Sequence, residues 1–429
     1  MNKSLTFIHA ADLHLGAPFR GVRALSDIWA DRLLSALREA YDRVIDAALS
    51  RKVDFVVIAG DVFDSTRSSY GDYLHFFDGL RELEKAHIPV YLVTGNHDPY
   101  VSWEQGLFAL PGNATMFPAD KPGFALFEKD GEPLCLIGGR GYYNQAFPAD
   151  ECIAEGVTRA AAEAALSVEN PRAAAAPFAV GVLHTGLTLD PYKAPVDPSV
   201  LMAAGMDYWA CGHIHMRYAY PSMKDPRIVF PGCIQGRDIK ETGPRGVLQV
   251  TLREGMRPQL DSIPTASVVW QRPKIDVSDC DTLPSVGDKI MRELFRENGE
   301  AHCEEMVSRI TLVGVTPLHD VLARPDVLEE LRKRTNDAYS AFFCDAMIDE
   351  TRAPRDEAAL RKEGLFPSVF LQVADKQQAD APGEVAFLQD EYLARSLSLP
   401  ADCVKDAPSL AASAQDLVLD LLSKEEAAL

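Results

Sequence analysis

Side chains that can bind divalent metal ions recur in five short motifs between residues 12 and 215. The motifs are Asp12-Leu13-His14, Gly60-Asp61-Val62-Phe63-Asp64, Gly95-Asn96-His97-Asp98, a single His184 and Gly212-His213-Ile214-His215. Aspartate, asparagine and histidine suit manganese, iron or zinc, and two such ions about 3.5–4 Å apart promote hydrolysis of phosphate esters. The motifs therefore predict a two-metal phosphoesterase.

The spacing within the motifs indicates how they could share two ions. Asp12 and His14 stand two residues apart at a strand end, so both can reach a single ion from one edge, and His213 and His215 repeat that spacing. Asp61 has two carboxylate oxygens and is the natural bridge between the ions. One motif alone could equally be a turn or a surface strand, but all five in this order favour one metal centre.

Apolar segments typical of buried strands precede all five motifs. They span residues 6–11, 54–59, 88–94, 178–183 and 206–211. Predicted helices at 31–50 and about 72–86 separate the first three, which indicates a parallel βαβ series. Open α/β sheets bind ligands at the carboxyl ends of their strands, so we expect the motifs to converge on one rim. The flanking glycines 60, 95 and 212 let the backbone turn sharply and approach the ions.

Further along the chain the predicted elements change twice. Shorter strands are predicted at 124–128, 133–138, 178–183, 207–211, 227–231 and 245–252. Proline-containing segments between 263 and 273 indicate a boundary, and a strand–helix–strand–helix–strand pattern follows it. We predict a phosphoesterase domain at 1–268, a small α/β domain at 269–352 and a helical region at 353–429.

The last predicted helix carries an apolar stripe. It consists of Leu410, Ala414, Leu417 and Leu421, with Val418 and Leu422 beside them. We expect this stripe to pack against its own domain, and docking of a partner is the alternative.

The net charge of −20 over 429 residues argues against a generally basic DNA-coating protein. Residues 1–270 carry 25 Lys and Arg against 32 Asp and Glu, whereas residues 271–429 carry 18 against 31. The acidic excess therefore lies mainly away from the metal motifs, and two divalent ions would offset part of the remainder. The charge weakens a nucleic-acid substrate without excluding it.

Membrane insertion, export and disulfide bonding are all disfavoured by the sequence. No apolar run approaches the roughly 20 residues that span a bilayer, and the first residues lead directly into a predicted strand rather than a cleavable signal. Eight widely spaced cysteines include no CxxC pair. We expect a soluble cytoplasmic protein, with Cys211 a small buried apolar residue and His9 a hydrogen-bonded core histidine.

The five motifs together resemble the signature of the calcineurin-like metallophosphoesterase superfamily: DxH, GDxxD, GNHD, a lone H and GHxH. Segments 9–16, 231–237 and 241–246 are similar to the SbcD-type DNA-repair nucleases, especially their YhaO branch. The similarity is clearest over residues 5–250. It implies an α/β fold, a four-layer sandwich of two mixed sheets flanked by helices, with 269–352 as a capping domain and helices at 353–429.

The resemblance also implies a role for each motif residue. One metal ion takes Asp12, His14 and His215, the other takes Asn96, His184 and His213, and Asp61 bridges them. His97 is implied to stabilise the scissile phosphate and protonate the leaving oxygen, with Asp64 orienting its ring. Archaeal and eukaryotic relatives have His in place of Asp64, so this chain follows the bacterial pattern. Asp98 is interpreted as a structural residue of the turn.

By the same resemblance, the expected activity is a metal-dependent phosphodiesterase on DNA, a 3′-to-5′ exonuclease with endonuclease activity also open. The implied cofactors are two divalent ions, with Mn²⁺ expected, and the implied partner is an SMC-like, SbcC-type ATPase; a homodimer is left open. Candidate phosphate contacts are Arg217, Arg237, Lys240 and Arg245, to which Arg20, Arg23, Arg67 and Arg140 could add. The alternative for these side chains is an ordinary solvated surface.

Two other functions remain open at this point. The same metal chemistry could act on a small phosphodiester or a phosphoprotein, although the additional domain disfavours it. A scaffold could instead tether DNA or the ATPase without hydrolysis, but the presence of every expected ligand counts against that.

Overall fold

The computed structural model describes residues 3–64, 68–103, 109–301, 303–362, 366–383, 385–387 and 406–426. The chain forms two compact units. The first comprises Met1–Pro273, Glu293–Arg309 and Thr335–Ala346, and the second comprises Lys274–Arg292, Ile310–Arg334 and Met347–Leu429. The domain boundaries predicted at 268 and 352 stay predictions.

Two six-stranded sheets make up most of the first unit. The strands of the first sheet are β1 (Ser4–Ala10), β2 (Phe55–Ala59), β3 (Val90–Val93), β4 (Ala114–Met116), β11 (Gly246–Arg253) and β12 (Gln259–Pro264). Those of the second are β5 (Gly123–Lys129), β6 (Glu132–Arg140), β7 (Phe178–His184), β8 (Tyr208–Gly212), β9 (Tyr218–Ser222) and β10 (Asp225–Phe230). The orders are β12-β11-β1-β2-β3-β4 and β5-β6-β7-β8-β10-β9.

Both sheets are mixed and together they enclose an apolar layer. Strands β1 to β4 run parallel and β11 pairs antiparallel with β1, whereas β6, β7, β8 and β10 run parallel between antiparallel edges. Phe7 and Phe55 of the first sheet stack with centroids 4.8 Å apart, and Tyr208 of the second meets Phe7 edge-on at 5.6 Å. This packing joins the sheets face to face.

Helices cover the outer faces of the two sheets. They are α1 (Arg20–Arg23), α2 (Asp27–Arg51), α3 (Tyr70–Lys85), α4 (Arg159–Leu166) and α5 (Pro198–Ala203), with 3₁₀ turns at Tyr100–Ser102 and Ala173–Ala175. In α2 the Ser26 hydroxyl accepts from the Trp29 N–H, and Leu33, Leu37 and Val44 face the core at helical spacing. Two mixed sheets between helical layers confirm the predicted α/β four-layer sandwich.

Beyond β12 the chain forms a third sheet and further helices. Their bounds are β13 (Val268–Gln271), β14 (Lys274–Asp276), α6 (Leu283–Ala301), β15 (Glu305–Val315), α7 (His319–Leu322), α8 (Pro325–Ala338), β16 (Phe342–Arg352), α9 (Glu357–Lys362), α10 (Phe366–Ala379) and α11 (Ala407–Glu426). In the first unit β13 pairs parallel with the start of β15, and in the second β14 pairs parallel with its later part. No helix in the described part of the chain is long and apolar enough to cross a bilayer.

The orientation of α11 corrects one expectation. Leu410, Leu417 and Leu421 are exposed, with 45%, 61% and 59% of their surface accessible, and Ala414 is exposed too. The expectation that this stripe packs on its own domain is therefore wrong; Ala407 and Leu419 are the buried residues of the helix. The side chain of Leu422 lies outside the described residues.

Candidate active site

The five motifs meet at the carboxyl ends of five strands. The DxH, GDxxD and GNHD motifs follow β1, β2 and β3, which are neighbours in the first sheet. His184 ends β7, and the GHxH motif follows β8, its neighbour in the second sheet. The predicted convergence on one rim is confirmed, because parallel neighbours end at the same edge.

The metal-binding atoms form two overlapping clusters. Donor atoms of Asp12, His14 and His215 lie within 4.8 Å of one another, and so do those of Asp12, Asp61 and His184. The Nε2 atoms of His14 and His215 are 3.2 Å apart, and His215 Nε2 lies 3.9 Å from Asp12 Oδ1. The two clusters share Asp12, whereas Asp61, the predicted bridge between the ions, belongs to the second cluster only.

The surroundings of the Asp61 carboxylate fit a bound divalent cation. Asp61 Oδ2 is fully buried and has no hydrogen-bond partner among the described residues; it lies 3.4 Å from His184 Nε2 and 3.6 Å from His14 Nε2. Burial opposes ionisation of Asp61, yet His184 and His14 lower the pKa of its carboxyl well below the usual range. A buried carboxylate oxygen facing ring nitrogens is a site for a bridged cation.

Unusual backbone conformations hold several of these residues in place. Asp12, His14, Asp61 and His213 have φ values of 53°, 47°, 51° and 102°, a region that disfavours non-glycine residues. Backbone hydrogen bonds between the loops maintain them, including the one from the His14 N–H to the Asp61 carbonyl at 3.0 Å. Such local strain, held by the surrounding sheet, is typical of functional sites.

Asp98 shapes the loops beneath the cluster. Its buried carboxylate accepts hydrogen bonds from the backbone N–H groups of Gly95, Asp61 and Val62 at 2.8, 3.1 and 2.9 Å. These contacts tie the loop after β3 to the loop after β2, which agrees with the interpretation of Asp98 as structural.

The remaining ligand candidates surround His184. Its Nδ1 donates to the Ala59 carbonyl at 2.9 Å, which directs Nε2 toward Asn96 Oδ1 at 3.1 Å. The centre of the His213 ring lies 5.4 Å from that of the His184 ring, and the backbone N–H of His213 donates to the Asp12 carboxylate at 3.0 Å. The structure therefore brings all seven predicted ligands together.

His97 lies at the opening of the site. Its backbone N–H donates to Asp61 Oδ1 at 2.8 Å, and its Nδ1 lies 3.4 Å from Asp64 Oδ1. The side chain of His97 is 41% exposed, whereas that of Asp64 is 11% exposed. The hydrogen bond to Asp64 raises the pKa of His97 above its ordinary value. A partly exposed, carboxylate-backed imidazole beside buried ligands can serve as a proton donor.

Of the three flanking glycines, one allows a sharp turn and the other two allow a close approach of the backbone. Gly60 alone has a positive φ, 83°, whereas a Cβ on Gly95 would stand 2.1 Å from Asp61 Oδ1 and one on Gly212 would stand 1.9 Å from the Ala59 carbonyl oxygen. The expectation of sharp turns thus holds for Gly60, and the other two permit close backbone approach.

Two residues next to the motifs take the predicted core roles. His9 is buried and its Nδ1 lies 2.9 Å from the Tyr208 hydroxyl. Cys211 is buried at the end of β8 and belongs to neither cluster found among the described residues.

The four candidate phosphate contacts have different surroundings. Arg217 and Lys240 are exposed, and Arg237 Nη2 lies 3.7 Å from Glu241 Oε1. Arg245 is buried, and its guanidinium donates to the carbonyls of His215, Thr242 and Glu241 at 2.6, 2.8 and 3.3 Å. Arg245 thus stabilises the loop beside the site, and a phosphate contact from it stays a prediction. Arg67 and the side chain of Arg20 lie outside the described residues.

Two carboxylates at the site were not among the predicted site residues. Asp190 lies 2.9 Å from His213 Nε2, and Glu241 lies 2.6 Å from His215 Nδ1. Asp190 sits in a loop without regular spacing to the motifs, so the sequence carried no signal for it, whereas Glu241 begins the segment 241–246 that resembles the nuclease family.

Comparison with known proteins agrees with this geometry. Residues 5–217 match the calcineurin-like phosphoesterase model, and residues 270–352 match the middle domain of metallophosphoesterase YhaO. The uncharacterized metallophosphoesterase YhaO of Bacillus subtilis is 31% identical over 324 residues, 74% of each chain. This chain belongs to the calcineurin-like metallophosphoesterases. The family assignment confirms the resemblance stated from the motifs.

Two further proteins are similar to this metallophosphoesterase. A DNA double-strand break repair protein Mre11 of Thermoplasma acidophilum is 24% identical over 402 residues, which cover 90% of this chain and 91% of that protein. The solved structure of a dimetal phosphatase from Danio rerio matches 60% of this chain and 98% of the phosphatase chain, with 12% sequence identity and a TM-score of 0.34.

Proposed function

We propose that this metallophosphoesterase hydrolyses DNA from the 3′ end, with two bound Mn²⁺ ions, and works with an SMC-like ATPase. The observation that carries the proposal is the position of His97, a partly exposed and carboxylate-backed histidine beside the seven converging side chains of the predicted metal site. That arrangement supports phosphodiester hydrolysis with a protonated leaving group.

In this proposal the ligand residues and His97 have separate tasks. Two bound divalent cations would lower the pKa of a shared water and offset the charge of the phosphate oxygens. Asp12, Asp61, Asn96 and the ligand histidines would hold the ions at the rim, while Asp64, accepting from His97 Nδ1, would leave Nε2 free to face the substrate. Because Asp64 raises the pKa of His97, more of the ring is protonated near neutral pH and can donate to the leaving 3′ oxygen.

Two observations support DNA as the substrate. The Thermoplasma relative, a DNA double-strand break repair protein, aligns with nearly the whole chain. Arg217 stands exposed two residues after His215, where a cation can contact a phosphate backbone without reading sequence.

The proposal is tested with the purified chain on three substrates: 3′-labelled duplex DNA, single-stranded DNA and a nitrophenyl phosphodiester. We expect Mn²⁺-dependent release of labelled nucleotide that a chelator stops. Cleavage of the small diester alone, even with the ATPase added, would contradict a DNA substrate and favour a small-molecule phosphodiesterase. DNA binding without cleavage of any substrate would favour a scaffold.

The apolar residues of the last helices support an ATPase contact within the proposal. Leu410, Leu417 and Leu421 of α11 are exposed, as are Phe366 and Val369 of α10. Exposed apolar side chains at helical spacing fit a helix or groove of a partner.

The ATPase contact has its own test. We expect Leu417→Glu to abolish co-purification of the chain with its ATPase, whereas Val168→Glu, at an 83% exposed apolar residue of the first unit, should not. Equal co-purification of both variants would contradict docking at α11.

A further inference from the structure

Two carboxylates outside the ligand set contact the two histidines of the last motif through opposite ring nitrogens. Asp190 Oδ2 lies 2.9 Å from His213 Nε2, whereas Glu241 Oε1 lies 2.6 Å from His215 Nδ1. His213 and His215 are only two residues apart, yet their rings are held from different sides.

Each carboxylate is fixed by a backbone hydrogen bond to its other oxygen. Asp190 Oδ1 accepts from the Tyr192 N–H at 2.9 Å, and Glu241 Oε2 accepts from the Arg237 N–H at 2.7 Å. An ionised carboxylate only accepts hydrogen bonds, so the ring nitrogen facing it must carry the proton. The lone pairs are then left on His213 Nδ1 and His215 Nε2.

We propose that Asp190 and Glu241 are positioning residues that fix opposite tautomers on His213 and His215, so that one presents Nδ1 and the other Nε2 to the metal ions. The inference rests on the metal-ligand roles in the proposed function. It agrees with the placement of His215 Nε2, 3.2 Å from His14 Nε2 and 3.9 Å from Asp12 Oδ1. Carboxylates that orient ligand histidines also strengthen their binding to metal.

A neighbouring cation does not reverse the tautomer of His215. Arg237 Nη2 lies 3.2 Å from His215 Nδ1 and could donate to that nitrogen only if it carried no proton. Glu241 is closer, at 2.6 Å, and needs the proton between the two atoms. Arg237 Nη2 also lies 3.7 Å from Glu241 Oε1, so the guanidinium pairs with the carboxylate.

Amide variants test the inference sharply because the second oxygen is already engaged. In Glu241→Gln the amide oxygen can keep the Arg237 N–H, and the NH₂ group then faces His215 Nδ1 and forces its proton to Nε2. Asp190→Asn repeats this arrangement with the Tyr192 N–H and His213 Nε2. Asp238→Asn is the matched control, since Asp238 is an exposed carboxylate of the same loop as Glu241 and accepts from the Lys240 N–H.

The experiment combines two measurements on the full chain. Histidine-selective ¹⁵N NMR of the metal-free protein reports the tautomers, and Mn²⁺ titration against a competing chelator reports the affinity of each site. We expect opposite tautomers for His213 and His215 in the wild type. Glu241→Gln and Asp190→Asn should each invert one tautomer and weaken one Mn²⁺ site by about 10- to 100-fold, and Asp238→Asn should change neither.

Several results would overturn the inference. Identical tautomers of His213 and His215 in the wild type would overturn it. Because this measurement needs no variant, it decides the inference even if a variant does not fold. Wild-type Mn²⁺ affinity in both folded amide variants would do so as well. Failure of the wild type to bind two Mn²⁺ ions would contradict the proposed function instead, and the tautomer measurement would still decide the inference.

Discussion

At the scale of single residues, the proposed chemistry depends on the contact between His97 and Asp64. The His97 ring is partly exposed, and Asp64 both orients the ring and raises its pKa. The seven predicted ligand residues, by contrast, lie close to one another. Holding metal and donating a proton are therefore separable, and substitution of each group should have a different signature.

Asp64→Asn should slow phosphodiester hydrolysis without loss of metal. An amide supports the imidazolium less well than a carboxylate does, so we expect kcat to fall about 10- to 100-fold with unchanged Mn²⁺ content. Steady-state kinetics and metal analysis of the same sample check this. Asp78→Asn, at an exposed aspartate of α3, is the control. An unchanged kcat in Asp64→Asn would show that Asp64 does not act through His97.

His9 should make the protein less stable in mild acid. Burial lowers the pKa of His9 to about 3 from an ordinary value of 6.5, so the folded chain excludes a proton that the unfolded chain takes up. The resulting stability is present above pH 6.5 and is lost as the pH falls toward 3. Between pH 7 and 5 the free energy of unfolding should drop by about 2 kcal/mol from this residue.

The test of His9 is urea unfolding of wild type and His9→Gln at both pH values. Glutamine does not titrate and can still hydrogen-bond to the Tyr208 hydroxyl. We expect the variant to lose about 2 kcal/mol less than the wild type. An equal loss in both proteins would contradict a neutral, buried His9.

Residue identities at the site were predictable to different degrees. The seven predicted ligands, His97 and Asp64 stand in fixed motifs at strand ends, so residue type and spacing both indicated that these residues would meet at one site. Asp190 and Glu241 reach their histidines from loops, and no spacing connects them to the motifs. Arg245 was predicted as a phosphate contact from its charge alone, and the sequence did not indicate that its guanidinium donates to backbone carbonyls of its own loop; the phosphate contact stays a prediction.

At the scale of elements, close contact between the loops after β2 and β3 determines the geometry of the metal centre. A Cβ on Gly95 would stand 2.1 Å from Asp61 Oδ1 and 2.5 Å from the Asp61 nitrogen. We expect Gly95→Ala to displace Asp61, to weaken Mn²⁺ binding at least about tenfold and to destabilise the fold by about 1–3 kcal/mol.

Gly287→Ala is the matched control for that substitution. Gly287 lies in α6 and an added Cβ would meet nothing within 4 Å. The control should leave Mn²⁺ affinity unchanged and raise the free energy of unfolding by about 0.5–1 kcal/mol, because alanine favours a helix. Calorimetric titration and urea unfolding measure both quantities. Wild-type Mn²⁺ affinity in Gly95→Ala would contradict the close-packing account.

Most elements of the first unit were predictable because their apolar patterns are local. The helix predicted at 31–50 is α2 at Asp27–Arg51, and the strand predicted at 178–183 is β7 at Phe178–His184. Strands β4, β9 and β12 were not predicted, since they are short or exposed and depend on their neighbours. The orientation of α11 was also mispredicted, because an apolar stripe does not reveal what covers it.

At the scale of the whole molecule, metal binding should be coupled to stability. The buried cluster forms only when both sheets are in place, so Mn²⁺ should bind the folded chain far more tightly than the unfolded chain. At a free Mn²⁺ concentration of about 100 times Kd, each site should add about 2.7 kcal/mol to the free energy of unfolding. Urea unfolding with Mn²⁺ and with chelator checks this, and Asp61→Asn should lose most of the difference. Stability that does not respond to Mn²⁺ would contradict a site assembled from both sheets.

The most direct test of a two-metal hydrolase with a separate proton donor is one paired measurement on His97→Gln. Phosphodiesterase activity toward 3′-labelled DNA and Mn²⁺ content are determined on the same preparation, with His87→Asn, at an exposed histidine in the turn before β3, as control. We predict two Mn²⁺ ions per chain in all three proteins, wild-type activity in the control, and at least about a 100-fold loss of activity in His97→Gln. Retained activity in His97→Gln, or loss of metal together with activity, would contradict the account.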